Sequence, residues 1–314
     1  MGLPEAGAMT SSNSSPISRA LVIGATALLL LRRLISGVDQ EQPSATAGPR
    51  ADCARAADLD AIQRAAEVRE RRERRSAVVY LIRHAQSESN AAKSDFHNGR
   101  HLEVPLSALG RRQARALGTR IARCGVAFDR VFASTADRAQ ETARIALAGA
   151  AAVEIVEGIE EVAMGGWTGR RKAECATPAA SAARERDAWE WRPPGRCAAN
   201  GLLGESYRDV EERMVRFLNE RVLRPSPSPA AAADAASSPI TVAVFTHHCA
   251  IRCCLRSLLE SSPLVLSPKL GPKNTSITEL RYDADSTGRR GGWRVVRIND
   301  AAHLEGLSEP IYLN

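Results

Sequence analysis

The sequence predicts an α/β protein of three layers, with helices on both faces of a central, mostly parallel sheet. Three observations predict it. Short apolar, β-rich runs recur at 77–82, 129–133, 153–156, 240–245, 276–282 and 293–298. Helix-forming stretches separate the earlier runs, which is the alternation a parallel sheet requires. Two of the runs, Ala77–Ile82 (AVVYLI) and Ile240–Phe245 (ITVAVF), read as buried strands that break off into histidine clusters. The carboxyl end of such a strand is where α/β sheets place their ligands.

Composition narrows the function. With 314 residues, 44% of them hydrophobic, the chain can build a core and is not disordered as a whole. Aromatic residues make up only 4%, too few for a platform on which single-stranded nucleic acid stacks. The net charge of +7 is diffuse: residues 1–76 carry 11 Arg against 9 Asp and Glu, and no exclusively basic run follows. No nucleic acid partner is expected; an anionic substrate is. Seven cysteines, an odd number without a CxxC pair, give neither a disulfide framework nor a zinc site. They fit a reducing, intracellular compartment. Cys249, Cys253 and Cys254 fall at helical spacing in an apolar stretch and read as small buried residues.

Residues 1–76 are expected to stand apart from the folded domain, which then covers 77–314. Ala20–Leu31 is uncharged and closed by Arg32 and Arg33. At about 1.5 Å per residue it falls short of a ~30 Å hydrocarbon core. Extended to residues 17–35 the element is long enough, with its arginines reaching for the interface. Membrane attachment through 17–35 is the first expectation; an organellar (mitochondrial) targeting peptide is the second. Gly37–Arg50 reads as a polar linker and Ala51–Arg75 as a solvated stalk. A Pro/Ala/Ser-rich stretch near 224–239 reads as a disordered insertion.

The chemistry is written after the strands. Ala77–Ile82 runs into Arg83-His84-Ala85-Gln86-Ser87-Glu88-Ser89-Asn90. A planar, permanently charged guanidinium beside an imidazole suits a phosphate group with a nucleophile or acid next to it. Ile240–Phe245 runs into Thr246-His247-His248-Cys249 and then a helical stretch. If the two strands are neighbours, their imidazoles meet. The last two runs, split by the polar turn Asp283–Gly292, are expected to form an antiparallel edge pair.

These segments resemble the histidine phosphatase superfamily, also called the phosphoglycerate-mutase-like family, in its phosphatase branch. LIRHAQSESN resembles the opening motif of that family, and Pro105–Ala114 (PLSALGRRQA) the start of its next helix. Phe128–Ala143 (FDRVFASTADRAQETA), Ile159–Gly169 (IEEVAMGGWTG), Gly204-Glu205-Ser206 and Thr246–Arg252 (THHCAIR) follow in the family's order. The likeness spans Val78–Leu304. It implies that His84 is a nucleophile forming a phosphohistidine, and that Glu161, chosen over Glu160 by motif spacing, is the proton donor. It further implies that Arg83, Asn90, Arg138 and a protonated His247 bind the phosphoryl group, with His247 also in the catalytic set. No metal and no cofactor are implied, because two arginines and a cationic histidine can do the work of metal ions on the phosphoryl oxygens.

The implied activity is hydrolysis of a phosphomonoester, on a phosphorylated small molecule or a phosphoprotein. The alternatives are phosphoglycerate-mutase-type transfer and an inactive module that only binds phosphorylated ligands. Arg170–Leu203 is Ala-rich, more like the insertion of the phosphatases than the charged lid of the mutases. Two positions depart from the family pattern: Ala85 and His248 stand where glycine is usual. Each is expected to add bulk near the pocket, with His248 in a satisfied hydrogen-bond site. His97 and His101 read as solvent-facing, Trp167 as a packing anchor, and Asn299, Asp300 and His303 as pins for the end of the domain.

Overall fold

The structure, a computed structural model, describes residues 74–92, 95–224, 238–261, 270–284 and 292–307. Six strands form one sheet: β1 (Ala77–Arg83), β2 (Arg130–Ser134), β3 (Val153–Val156), β4 (Ile240–Thr246), β5 (Ile277–Asp283) and β6 (Gly292–Asp300). Their order is β3-β2-β4-β1-β5-β6. β1 pairs parallel with β4, and β2 parallel with both β4 and β3. β5 is antiparallel to β1 and to β6, so it alone runs against the other five strands. The mostly parallel sheet is therefore found, as is the antiparallel pair. That pair is not wholly an edge: β6 is outermost, while β5 is bonded on both sides.

The main helices are α1 (Glu88–Ala91), α2 (Ala108–Arg123), α3 (Asp137–Leu147), α4 (Lys172–Cys175), α5 (Pro178–Arg186), α6 (Tyr207–Phe217) and α7 (His248–Leu258). Alternation along the strands feeds two cores. Leu81, Phe132, Val242, Val244 and Leu280 join Val210, Met214 and Phe217 of α6 and Ile251 and Leu255 of α7. Ile82, Val131, Ala133, Ala243 and Phe245 join Leu117 of α2 and Ala143, Ala146 and Leu147 of α3. Adjacent residues such as Val244 and Phe245 thus serve opposite layers.

Two devices fix the loop after β1. Ser107 caps α2, accepting from Gly110 N–H at 3.0 Å and donating to Gln86 Oε1 at 2.7 Å. Gly110 lies so close to that loop that a Cβ there would stand 2.0 Å from the Gln86 carbonyl oxygen. Only glycine lets the first turn of α2 press against the segment that follows His84.

No helix of the described residues is long and apolar enough to cross a membrane. The segment expected to attach to one, 17–35, lies outside the described residues, as do the linker and almost all of the stalk. Residues 225–237 of the expected insertion lie outside them too.

Candidate active site

The site begins with a register pair. Arg83, the last residue of β1, stands opposite Thr246, the last of β4. His84 N–H donates to the Thr246 carbonyl at 2.9 Å, and the next residue on each strand is a histidine. The rings of His84 and His247 consequently lie 5.1 Å apart, centroid to centroid. The two strand ends bring their imidazoles together because the strands are neighbours.

The tautomers follow from the partners. His84 Nδ1 is 2.7 Å from the Ala85 carbonyl, which can only accept, so Nδ1 carries the proton and Nε2 presents a lone pair. Burial, reinforced by Arg138 and Arg83, holds the His84 pKa well below the ordinary 6.5. His247 Nδ1 is 3.3 Å from an amino group of Arg138, which can only donate; Nε2 then carries the proton and donates to Ser134 Oγ at 2.8 Å. Burial first, then Arg138 and His84, lowers the His247 pKa well below 6.5. His247 is therefore neutral in this arrangement, with Arg138 at its Nδ1; beside a phosphoryl dianion the cation is expected.

Arg83 and Arg138 are both buried. Arg83 donates to the Pro272 carbonyl at 2.6 Å, while its Nε finds no partner. Arg138 donates to the carbonyls of His101 at 2.6 Å and Gly99 at 3.3 Å. Burial lowers both pKa values to about 10, opposed in each case by Glu161, so both remain charged at neutral pH.

The adjacent carboxylates part company. Glu160 is 2% exposed and paired with Arg100 at 2.7 Å and Arg213 at 3.7 Å. Glu161 is half-buried and accepts from Val162 N–H at 2.8 Å and from Cys249 N–H at 3.2 Å to each oxygen. Cys249 is in the first turn of α7, whose N-cap, His247, makes no side-chain capping bond. Glu161 supplies from another loop the acceptor that this helix start lacks. Asn90 serves mainly as a cap: its Oδ1 accepts from Ser87 N–H at 3.3 Å in the capping box of α1 and lies 3.5 Å from Asn274 Nδ2.

Several contributors gave no sequence signal of their own. Asn274 donates to the His84 carbonyl at 2.9 Å and bridges it to Asn90. Arg213 holds the backbone of the acid loop, donating to the carbonyls of Gly158 and Glu161 at 3.0 Å each. Ser134 lay inside the quoted FASTADR segment, where only its spacing to Arg138 could have marked it.

The two departures behave differently from expectation. Ala85 is fully buried and packs with Leu106 and Ala114, so its methyl group fills the core behind the site and not the pocket. His248 is not in a satisfied site: its buried Nε2 has no hydrogen-bond partner, and burial beside Arg83 drives its pKa to about 3. His101 is exposed as expected. His97 is not: it is half-buried, with its ring 5.1 Å from that of Trp167. His303 Nε2 lies 2.9 Å from Thr275 Oγ1, behind the His84 strand end. Among the described residues no three His, Cys, Asp or Glu side chains converge as metal ligands. Two buried cations, two neutral imidazoles and one carboxylate make a site suited to a tetrahedral dianion.

Residues 79–301 match the family model of the histidine phosphatase superfamily, branch 1. The chain belongs to this superfamily. This histidine phosphatase superfamily member is 27% identical over 237 residues to a probable phosphoglycerate mutase of Proteus mirabilis, covering 73% of this chain and 96% of that one. It is 31% identical over 143 residues to the adenosylcobalamin/alpha-ribazole phosphatase of Escherichia coli, covering 45% of this chain and 64% of that one. The solved structure of a mycobacterial glucosyl-3-phosphoglycerate phosphatase superposes with a TM-score of 0.52 at 26% identity, over 72% of this chain and 100% of the other. Phosphoglycerate mutase from Bacillus anthracis, at 19% identity and a TM-score of 0.55 over 76% of this chain and 99% of that one, shares the fold. The superfamily member is thus an enzyme of a group that holds both phosphatases and mutases.

Proposed function

We propose that the chain is a metal-independent phosphomonoester hydrolase that works through a phosphohistidine, with residues 77–314 as its catalytic domain. The lone pair of His84 Nε2 attacks phosphorus, the bond to the ester oxygen breaks, and Glu161 gives its proton to the departing alcohol. A water molecule then attacks the phosphohistidine, passes a proton to Glu161, and phosphate leaves. Arg83, Arg138, the amide of Asn90 and His247, its Nε2–H turned from Ser134 onto the phosphoryl group, hold the phosphoryl oxygens and stabilise their charge in both transition states. Splitting the displacement in this way replaces one difficult step by two easier ones.

One observation carries the reading. The bond from His84 Nδ1 to the Ala85 carbonyl leaves Nε2 unprotonated, with two buried guanidiniums in the same site. The test is to trap the phosphoenzyme by an alkaline, denaturing quench after mixing with a radiolabelled phosphomonoester. Acid-labile, base-stable label is expected in the native protein and none in His84→Ala; label that survives in the variant would refute His84 as the nucleophile.

A mutase reading is favoured by the likeness to proteins named as phosphoglycerate mutases. The two separate in one assay. Hydrolysis releases inorganic phosphate, whereas a mutase converts 3-phosphoglycerate to its isomer without net release.

A further inference from the structure

A cavity of about 200 Å³ lies beside the acid loop, lined by Val162, the residue after Glu161. Val162 and Cys249, the two residues whose N–H groups hold the Glu161 carboxylate, both lie on its wall. Much of the rest is aromatic or apolar, above all Trp167, Trp191, Tyr207 and Met164. The chain has only four tryptophans, and two of them, with ring centroids 5.0 Å apart, line this one cavity. Its two charged residues are Glu205 and the exposed Arg184. Glu205 accepts from Arg213 at 3.0 Å and from Ala163 N–H at 2.9 Å, and the Arg184 guanidinium lies 6.0 Å over the ring of Trp191.

We infer that this cavity receives the alcohol portion of the substrate and selects phosphomonoesters of apolar, ring-bearing alcohols over short polyanionic ones such as 3-phosphoglycerate. The inference rests on Glu161 as the group that protonates the leaving alcohol. An ester oxygen protonated by Glu161 lies near Val162 and Cys249, so the alcohol carbon it bears is directed toward the cavity those residues line. The volume sets the size: a cavity of about 150 Å³ takes a benzene ring, so this one takes a single ring and a few further atoms. Aromatic walls bind a ring in offset or edge-to-face contact. A second carboxylate brought into the same space would lose water and meet the Glu205 carboxylate.

The experiment compares kcat/KM of the full chain for 2-phenylethyl phosphate, glycerol 1-phosphate and 3-phosphoglycerate. All three are esters of primary alcohols, so differences in leaving-group chemistry are small. The phenylethyl ester is expected to be preferred about tenfold or more, the value of burying one ring. Trp191→Ala is expected to collapse that ratio toward one, and Trp191→Phe to restore most of it. A preference for 3-phosphoglycerate or glycerol 1-phosphate, or an unchanged ratio in Trp191→Ala, would overturn the inference. If none of the three esters releases phosphate, tryptophan fluorescence titration decides the cavity independently of turnover. Tighter binding of 2-phenylethyl phosphate than of glycerol 1-phosphate, lost in Trp191→Ala, supports it; equal binding or none overturns it.

Discussion

The backbone N–H of Cys249 lies 3.2 Å from both carboxylate oxygens of Glu161. One contact thus satisfies the open first turn of α7 and aims the acid of the proposed mechanism. The second histidine and the acid are locked into one unit, since His247 is the N-cap of the same helix.

From that contact, Glu161→Gln should keep an acceptor for Cys249 but lose the proton. We expect kcat for an alkyl phosphate to fall about 10²-fold to 10³-fold. The loss for p-nitrophenyl phosphate should be much smaller, because its leaving group departs without a proton. Steady-state kinetics on the two esters check this; equal losses would remove Glu161 from proton transfer.

Glu160→Gln should act on the fold instead. Glu160 is buried beside Arg100 at 2.7 Å, and removing its charge leaves that guanidinium with the longer contact to Glu205 at 3.7 Å. The expected cost is about 3 kcal/mol, read from urea unfolding. The folded fraction should keep the pH profile of the native protein.

The histidines predict a pH dependence of definite sign. His84 and His247 are held well below 6.5, chiefly by burial, so the nucleophile stays unprotonated as pH falls through that value. Phosphoenzyme formation should show no acid limb near pH 6.5. Stability behaves otherwise. The unfolded chain binds protons first, so stability is full above 6.5 and is lost as pH falls from there toward the folded values, about 4 for His303 and about 3 for His248. Each such histidine contributes up to about 1.4 kcal/mol per pH unit within its window. Denaturation midpoints flat across pH 5–7 would contradict this.

Ser134→Ala removes the acceptor of the His247 Nε2 proton in a fully buried place. An unmet buried donor costs about 1–3 kcal/mol, which should appear as lower stability and as roughly tenfold lower kcat/KM when the ring turns. Ser134→Thr, which keeps the hydroxyl, should recover most of both.

The strands and both histidines were legible because each depends on a local pattern: an apolar run that stops abruptly at charged residues. Which face Ala85 takes was not, since it is decided by Leu106 and Ala114 from another part of the chain. Asn274 and Arg213 were invisible for the same reason. Each acts on a backbone carbonyl far away in sequence, and any donor of similar reach would read alike. Spacing alone chose Glu161 over Glu160 as the expected acid; what distinguishes their surroundings is tertiary, Glu160 being held by Arg100 and Glu161 by the start of α7. The aromatic cavity combines His97, Trp167, Trp191 and Tyr207 from four segments and leaves no pattern in any of them.

The placement of β1 bears on how the chain is made. Ala77 pairs with Ile240 on one side and Tyr282 on the other, so β1, the first of the described strands, has no sheet partner until the second half of the chain has emerged. Until then Val79, Leu81 and Ile82 stay uncovered, a long exposure for an adhesive segment. High contact order of this kind makes folding slow, because loop closure must come before the central strand pairing rewards it.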